Sequence, residues 1–155
     1  LSKYGDNDCR KKFWFNVGGK TTKKTPDYAE GMGPTNTLRI SEAYLNRAEA
    51  YAQMDKTNEA LADLNELRKY RISKSKYIEV NLTDGQELLD FCLLERRREL
   101  CGETCHRWCD VRRLGVTVTH LLYDSSIDYQ QDMGHYVLPI PKLITEQNPA
   151  LEQNQ

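Results

Sequence analysis

The sequence predicts a mainly α fold: a helical hairpin, further packed helices, a loop-rich N-terminal section and an extended C-terminal tail. Three observations carry this. Apolar and small residues recur at three-four spacing from Leu38 to Leu67. All five prolines lie outside residues 35–138, so none interrupts that helical body. Residues 1–37 are rich in Lys, Thr and Gly around a single strand-like run.

Ala43, Ala48 and Ala50 with Tyr44, Leu45 and Tyr51 build the first helix of the hairpin, and Ala60, Leu61, Leu64 and Leu67 form the apolar face of the second. Asp55-Lys56-Thr57-Asn58 is the break between them. Tyr44, Ala48, Tyr51, Ala60 and Leu64 fall at the aromatic, small and seam positions of one tetratricopeptide unit. Arg47 stands where a Leu is usual and Asp55 where a Gly is usual, and an ordinary antiparallel helix pair fits the same residues. One such unit cannot bury its own apolar faces. With no second copy in the sequence, either irregular helices after Thr83 or neighbours in a longer parent protein must complete the packing.

Thr83-x-x-Gln86 reads as a capping box opening a third helix, which Gly102 is placed to end. Leu88, Leu89, Phe91, Cys92, Leu93 and Leu94 leave that helix apolar nearly all round until Glu95, so its first half is expected to be deeply buried. A shorter fourth helix runs from about Cys105 to Leu114, with Gly115 as its stop. The tail Tyr136-Val-Leu-Pro-Ile-Pro is expected to be extended, because residues preceding proline avoid the helical region, and Asn148-Pro-Ala-Leu to return to a turn. Near the N-terminus, Phe13-Trp14-Phe15-Asn16-Val17 reads as a strand ended by Gly18-Gly19. The chain thus divides into a loop-rich segment with a short hairpin, 1–37, and a helical portion, 38–155.

Composition narrows the partners. A formal charge of −1 from 22 basic and 23 acidic residues gives no electrostatic case for nucleic acid or anionic lipid. No run approaches the ~18 apolar residues of a membrane helix, and LSKYGDNDCR has neither the apolar stretch nor the cleavage site of a signal peptide. A chain that opens on Leu1 without a start Met is expected to be a fragment of a longer protein. Five cysteines are an odd number, so at least one thiol stays free or pairs outside the chain.

The densest charge cluster is Glu95-Arg96-Arg97-Arg98-Glu99, followed by Glu103, Arg107, Asp110, Arg112 and Arg113. It reads either as an arginine pocket for an anion or as an ionic lattice locking the third helix to the fourth. The lattice is preferred, because the carboxylates would neutralise a pocket and Glu95/Arg98 and Arg107/Asp110 have pairing distance on a helix. Cys101, Cys105, His106 and Cys109 invite a metal reading, but their spacing departs from structural zinc patterns, so they are expected on apolar faces, with Cys105 the most exposed thiol and no metal bound. No cofactor loop, nucleophile turn or catalytic set is present, and no enzymatic role is expected. Trp14, with Phe13, Phe15, Tyr28 and Tyr4, could form an aromatic platform for sugar rings. Strand alternation would put Phe13 and Phe15 on one face and Trp14 on the other, so burial of at least one face competes with that role.

Taken in order, the motifs resemble the C-terminal portion of the SusD/RagB family. LRISEAYLNRAEAYAQ resembles its R-x-x-E-x-Y-L helix and NEALADLNELRKYR the partner helix ending in L-N-x-L-R-x-x-R. ERRREL with HRWCDVRRLG resembles its E-R-x-x-E-L and R-W-x-D-x-R-R signature, and YVLPIP with NPALEQN its terminal P-I-P and N-P-x-L-x-Q-N. The likeness covers about Leu38 to Asn154. Thr104-Cys105 departs from the single small residue expected before His106, and Cys109 stands where an aromatic is common.

The resemblance implies a surface-exposed outer-membrane lipoprotein of Bacteroidetes that binds glycans or other nutrients and passes them to a SusC-like TonB-dependent transporter, without catalysis. Its lipid anchor and further tetratricopeptide-like helices would lie upstream of this chain. The alternative is a tetratricopeptide-type adaptor gripping a peptide. The matched positions are scaffold, so only Trp14 and Tyr28 stand as local ligand-binding candidates, and the affinity of this chain alone for glycans is expected to be weak.

Overall fold

In the computed structural model, which describes residues 2–16, 23–24, 39–103, 105–121 and 128–153, Asp8 caps the first helix, α1 (Cys9–Phe13), by accepting from the Arg10 backbone N–H at 3.0 Å. The aromatic run therefore does not start a strand at Phe13. That residue ends the helix and is 67% exposed, the Trp14 N–H donates to Arg10 O at 2.9 Å, and the strand β1 (Phe15–Asn16) begins only afterwards. The capping carboxylate, an interaction local to residues 8–10, overrides the β propensity of the aromatics. The short hairpin is present: β1 pairs antiparallel with β2 (Lys23–Lys24). Gly18-Gly19 lies outside the described residues.

Helices α2 (Ile40–Gln53) and α3 (Thr57–Lys69) form the predicted hairpin, and α4 (Gly85–Glu99) packs across it. Ala48 and Ala60 are both fully buried; side chains this small let α2 and α3 approach closely around Leu45, Ala52, Leu64, Leu67, Leu88 and Cys92. The break adopts a Schellman motif, with Lys56 N–H donating to Tyr51 O at 2.9 Å and Asp55 N–H to Ala52 O at 3.2 Å. Asp55 occupies the left-handed position, at φ 58°. Arg47 clamps the pair from outside, donating from Nε and Nη2 to both carboxylate oxygens of the buried Asp63 at 2.7 and 2.6 Å.

Two expectations for α4 need correction. Its cap is Asp84, not Thr83: the Asp84 carboxylate accepts from Glu87 N–H at 2.8 Å. The deep burial also lies in the opposite half. Of the apolar stretch, Leu88 and Cys92 enter the core while Leu89, Phe91, Leu93 and Leu94 are only half-buried, whereas Glu95, Arg96, Glu99 and Leu100 are buried. The N-terminal segment covers that second half: Tyr4 OH donates to Arg98 O at 2.7 Å, and the Arg10 side chain reaches Glu95 and Glu99. Gly102, at φ 74°, follows the helix as expected.

The chain separates into two compact units, Leu1–Thr104 and Cys105–Gln155. The second opens with α5 (His106–Arg113), ended by another Schellman motif in which Val116 N–H donates to Val111 O at 3.0 Å and Gly115 takes φ 64°. An antiparallel pair unforeseen from the sequence follows, β3 (Val118–Leu121) with β4 (Asp128–Gln131). Tyr136 anchors this unit. It is buried, donates from its hydroxyl towards Val116 O at 3.0 Å and Gln131 O at 3.2 Å, and packs edge-on against Trp108. Beyond it the tail is extended from Val137 to Pro141, then forms α6 (Lys142–Gln147) before the predicted turn at Asn148, closed by Leu151 N–H on Asn148 O at 2.9 Å.

Candidate functional site

Trp14, the residue singled out for a sugar platform, sits at the C-cap of α1 and is half-buried. Two guanidinium groups, those of Arg39 and Arg71, each lie over its indole at 5.6 Å from the ring centroid. Arg39 comes from the residue preceding α2. Arg71 follows α3, in a stretch tied to the N-terminal segment by Cys9 N–H on Arg71 O at 2.8 Å and Ser73 N–H on Asn7 O at 2.9 Å. Tyr28, the other candidate, lies outside the described residues.

The two arginines are not free to serve an anionic ligand, because both are committed to Glu99. Arg71 donates to its two carboxylate oxygens from Nε at 2.9 Å and Nη2 at 2.8 Å, and Arg39 Nη2 donates to Oε1 at 3.0 Å. Arg10 Nη1 donates to the same group at 3.1 Å, and Arg10 also holds Glu95 and Asp8. Arg98 pairs with Glu95 and Arg39 with Glu103. Among the described residues, four arginines thus meet four carboxylates.

Burial pushes the Glu99 carboxyl up, but the hydrogen bond from Arg71 and the charges of Arg71, Arg10 and Arg39 outweigh it and hold the group below its ordinary value. An ionic lattice is present on α4, as expected from the sequence. It joins α4 to the N-terminal segment and to the residues flanking the hairpin. Glu95/Arg98 forms as foreseen, and Asp110 accepts from Arg113 Nε at 3.0 Å.

Beside the lattice a cleft of about 430 Å³ is lined by Arg39, Ile40, Tyr44, Tyr70 and Arg71 among others. A second cleft, of about 470 Å³, lies against α3 and is lined by polar side chains including Glu66, Lys69, Tyr77, Glu79 and Asn81. The Asn65 amide shapes it, accepting from Val80 N–H at 2.8 Å and donating to Val80 O at 2.9 Å. Neither cleft could be read from the sequence: the first depends on how the start of α2 meets the end of α3, and the second on how α3 meets a segment without helical periodicity. Cys105 is exposed, as expected, but Cys109, expected on an apolar face, is exposed as well, and Cys101 is only partly covered. Among the described residues no group of three or more His, Cys, Asp or Glu side chains is placed to hold a metal ion.

Comparison with known proteins places this scaffold. The family profile described as the SusD family matches residues 9–155. The chain belongs to the SusD family. A SusD-like protein of Formosa agariphila is 36% identical over 122 residues, which are 76% of this chain and 23% of that protein. A Bacteroides vulgatus crystal structure named for sugar binding superposes with a TM-score of 0.70 at 30% identity, over 96% of this chain and 35% of the other. A SusD-like carbohydrate binding protein from the same species shares the fold, with a TM-score of 0.57 at 23% identity over 84% of this chain and 32% of that one. This SusD-family chain therefore spans roughly a quarter to a third of the relatives it matches, and the Glu99 lattice lies within the matched stretch.

Proposed function

We propose that this chain is part of a surface-exposed, glycan-binding lipoprotein of the outer membrane that hands its ligand to a SusC-like TonB-dependent transporter, binding it without transforming it. The observation that carries the reading is the family match over residues 9–155, together with the sugar-binding name of a relative that aligns over 96% of this chain. The charge balance agrees with an uncharged ligand, since the four-against-four lattice offers no surplus for an anion.

Within this chain Trp14 and Tyr28 are the proposed ligand contacts. The Arg39 and Arg71 guanidinium groups order the Trp14 ring, which lowers the ordering cost of a sugar contact at the part of the ring they leave uncovered. A single half-buried ring is a small platform, so we expect weak affinity from this chain and stronger binding from the longer protein. Calorimetric titration of both against a panel of neutral oligosaccharides tests this. Binding by neither rejects the glycan reading; tight binding by this chain that survives Trp14→Ala rejects the assignment of Trp14.

A further inference from the structure

We propose that Cys105 and Cys109 form a dithiol site that low-molecular-weight or protein disulfides oxidise to an intramolecular disulfide. The inference stands on the geometry of these two residues and does not depend on the ligand assigned above.

Their sulfur atoms lie 3.5 Å apart, and both residues are exposed to solvent. Cys105 is the N-cap of α5, and Cys109 lies one turn on, its N–H donating to Cys105 O at 2.8 Å. Four residues of helix separate Cα atoms by about 6 Å, inside the ~4.4–6.8 Å that disulfides span. The sulfurs must still close to about 2.05 Å. Cys105, with φ −95° and ψ 7°, is outside the regular helix. Its backbone can therefore rotate towards Cys109 at the cost of one terminal hydrogen bond.

The other three thiols are placed differently. Cys92 is buried in the hairpin core, where burial pushes its thiol up to about 12, so at neutral pH it has almost no nucleophilic thiolate. Cys9 and Cys101 are only partly exposed. The accessible, adjacent pair is 105 and 109.

Oxidation proceeds by two exchanges. One thiolate attacks a sulfur of the oxidant disulfide, forms a mixed disulfide and expels a thiolate. The neighbouring thiolate then attacks the protein sulfur of that mixed disulfide and expels the second thiolate. Two protein thiols lose two protons and two electrons, and one oxidant disulfide becomes two thiols. Because closure bends the first turn of α5, the bond is strained and readily reduced, which makes the site reversible.

The test uses the full chain, reduced, desalted and incubated with oxidised glutathione. The expected product is lighter by about 2 Da, the two protons lost on closure, and after trypsin it shows the peptides Glu99–Arg107 and Trp108–Arg112 joined through Cys105 and Cys109. Cys101→Ser should leave that link intact. Cys105→Ser should abolish it and strand a glutathione adduct on Cys109, with far-UV circular dichroism confirming that the variant is folded. Stable glutathione adducts on both Cys105 and Cys109 without a link, or a link from Cys109 to Cys101, would overturn the proposal.

Discussion

Arg10 and Glu99, 89 residues apart in the chain, meet at 3.1 Å with both side chains almost wholly removed from solvent. Breaking such a contact strands a buried charge. Arg10→Ala leaves Asp8 without its arginine partner, Glu95 with Arg98 alone and Glu99 short of one of three, and removing one member of a buried pair typically costs about 3–5 kcal/mol. Urea denaturation should show a loss of that order. A change under about 1 kcal/mol, the range of an exposed pair, would show that the lattice does not hold the N-terminal segment to α4.

The same lattice sets an acid limit. Glu99, facing Arg10, Arg39 and Arg71, titrates below its ordinary 4.5 in the folded chain. A depressed folded-state value contributes stability that is present above the unfolded value and lost as pH falls through the folded one. The melting temperature should therefore hold through the neutral range and fall as pH drops below about 4.5. In Glu99→Gln the protein should be less stable at neutral pH and its acid slope shallower. An unchanged slope in that variant would assign the acid sensitivity to other carboxylates.

Ala48 and Ala60, both without exposed surface, mark the α2–α3 seam. Replacing either by Leu inserts three carbons where no space remains, which typically costs about 1–3 kcal/mol. Thermal denaturation of both variants checks this; melting with the parent protein would mean that the seam lies elsewhere.

Asp55 carries a left-handed conformation that a side chain disfavours, and it does so at the end of α2, where a negative charge opposes the helix dipole. Asp55→Gly is expected to stabilise the chain by roughly 0.5–1 kcal/mol, the relief of backbone strain exceeding the added freedom of the unfolded state. A lower melting temperature would show that the carboxylate, near Gly85 at the start of α4, makes a contribution of its own.

The hairpin and its seam were legible because helical periodicity is a local signal: Ala48, Ala60 and Leu64 reveal their face to neighbours three and four positions away. The stops at Gly102 and Gly115 were legible for the same reason. The lattice was only half so. Glu95/Arg98 advertises itself by spacing, but Arg10, Arg39 and Arg71 reach Glu99 from 89, 60 and 28 positions away, and no window along the sequence contains them together. Trp14 stood out as an aromatic in a loop-rich section, yet nothing local indicated that two distant guanidinium groups would lie over it. The α1 helix was hidden because a five-residue element is decided by one cap, and the β3–β4 pair because its register depends on partners across a connection.

Ile140 lies between two prolines, so within Pro139-Ile140-Pro141 it owns the single backbone N–H. Gln153 takes it: the side-chain amide accepts from Ile140 N–H at 2.7 Å and returns a bond to Ile140 O at 3.0 Å. One side chain thereby does the work of a neighbouring strand and ties the last stretch of chain into a ring. The slowed deuterium uptake of that lone amide is then a one-atom gauge of whether the ring is shut, and Gln153→Leu, which deletes both the acceptor and the donor, would speed its exchange while leaving the helical hairpin as it was.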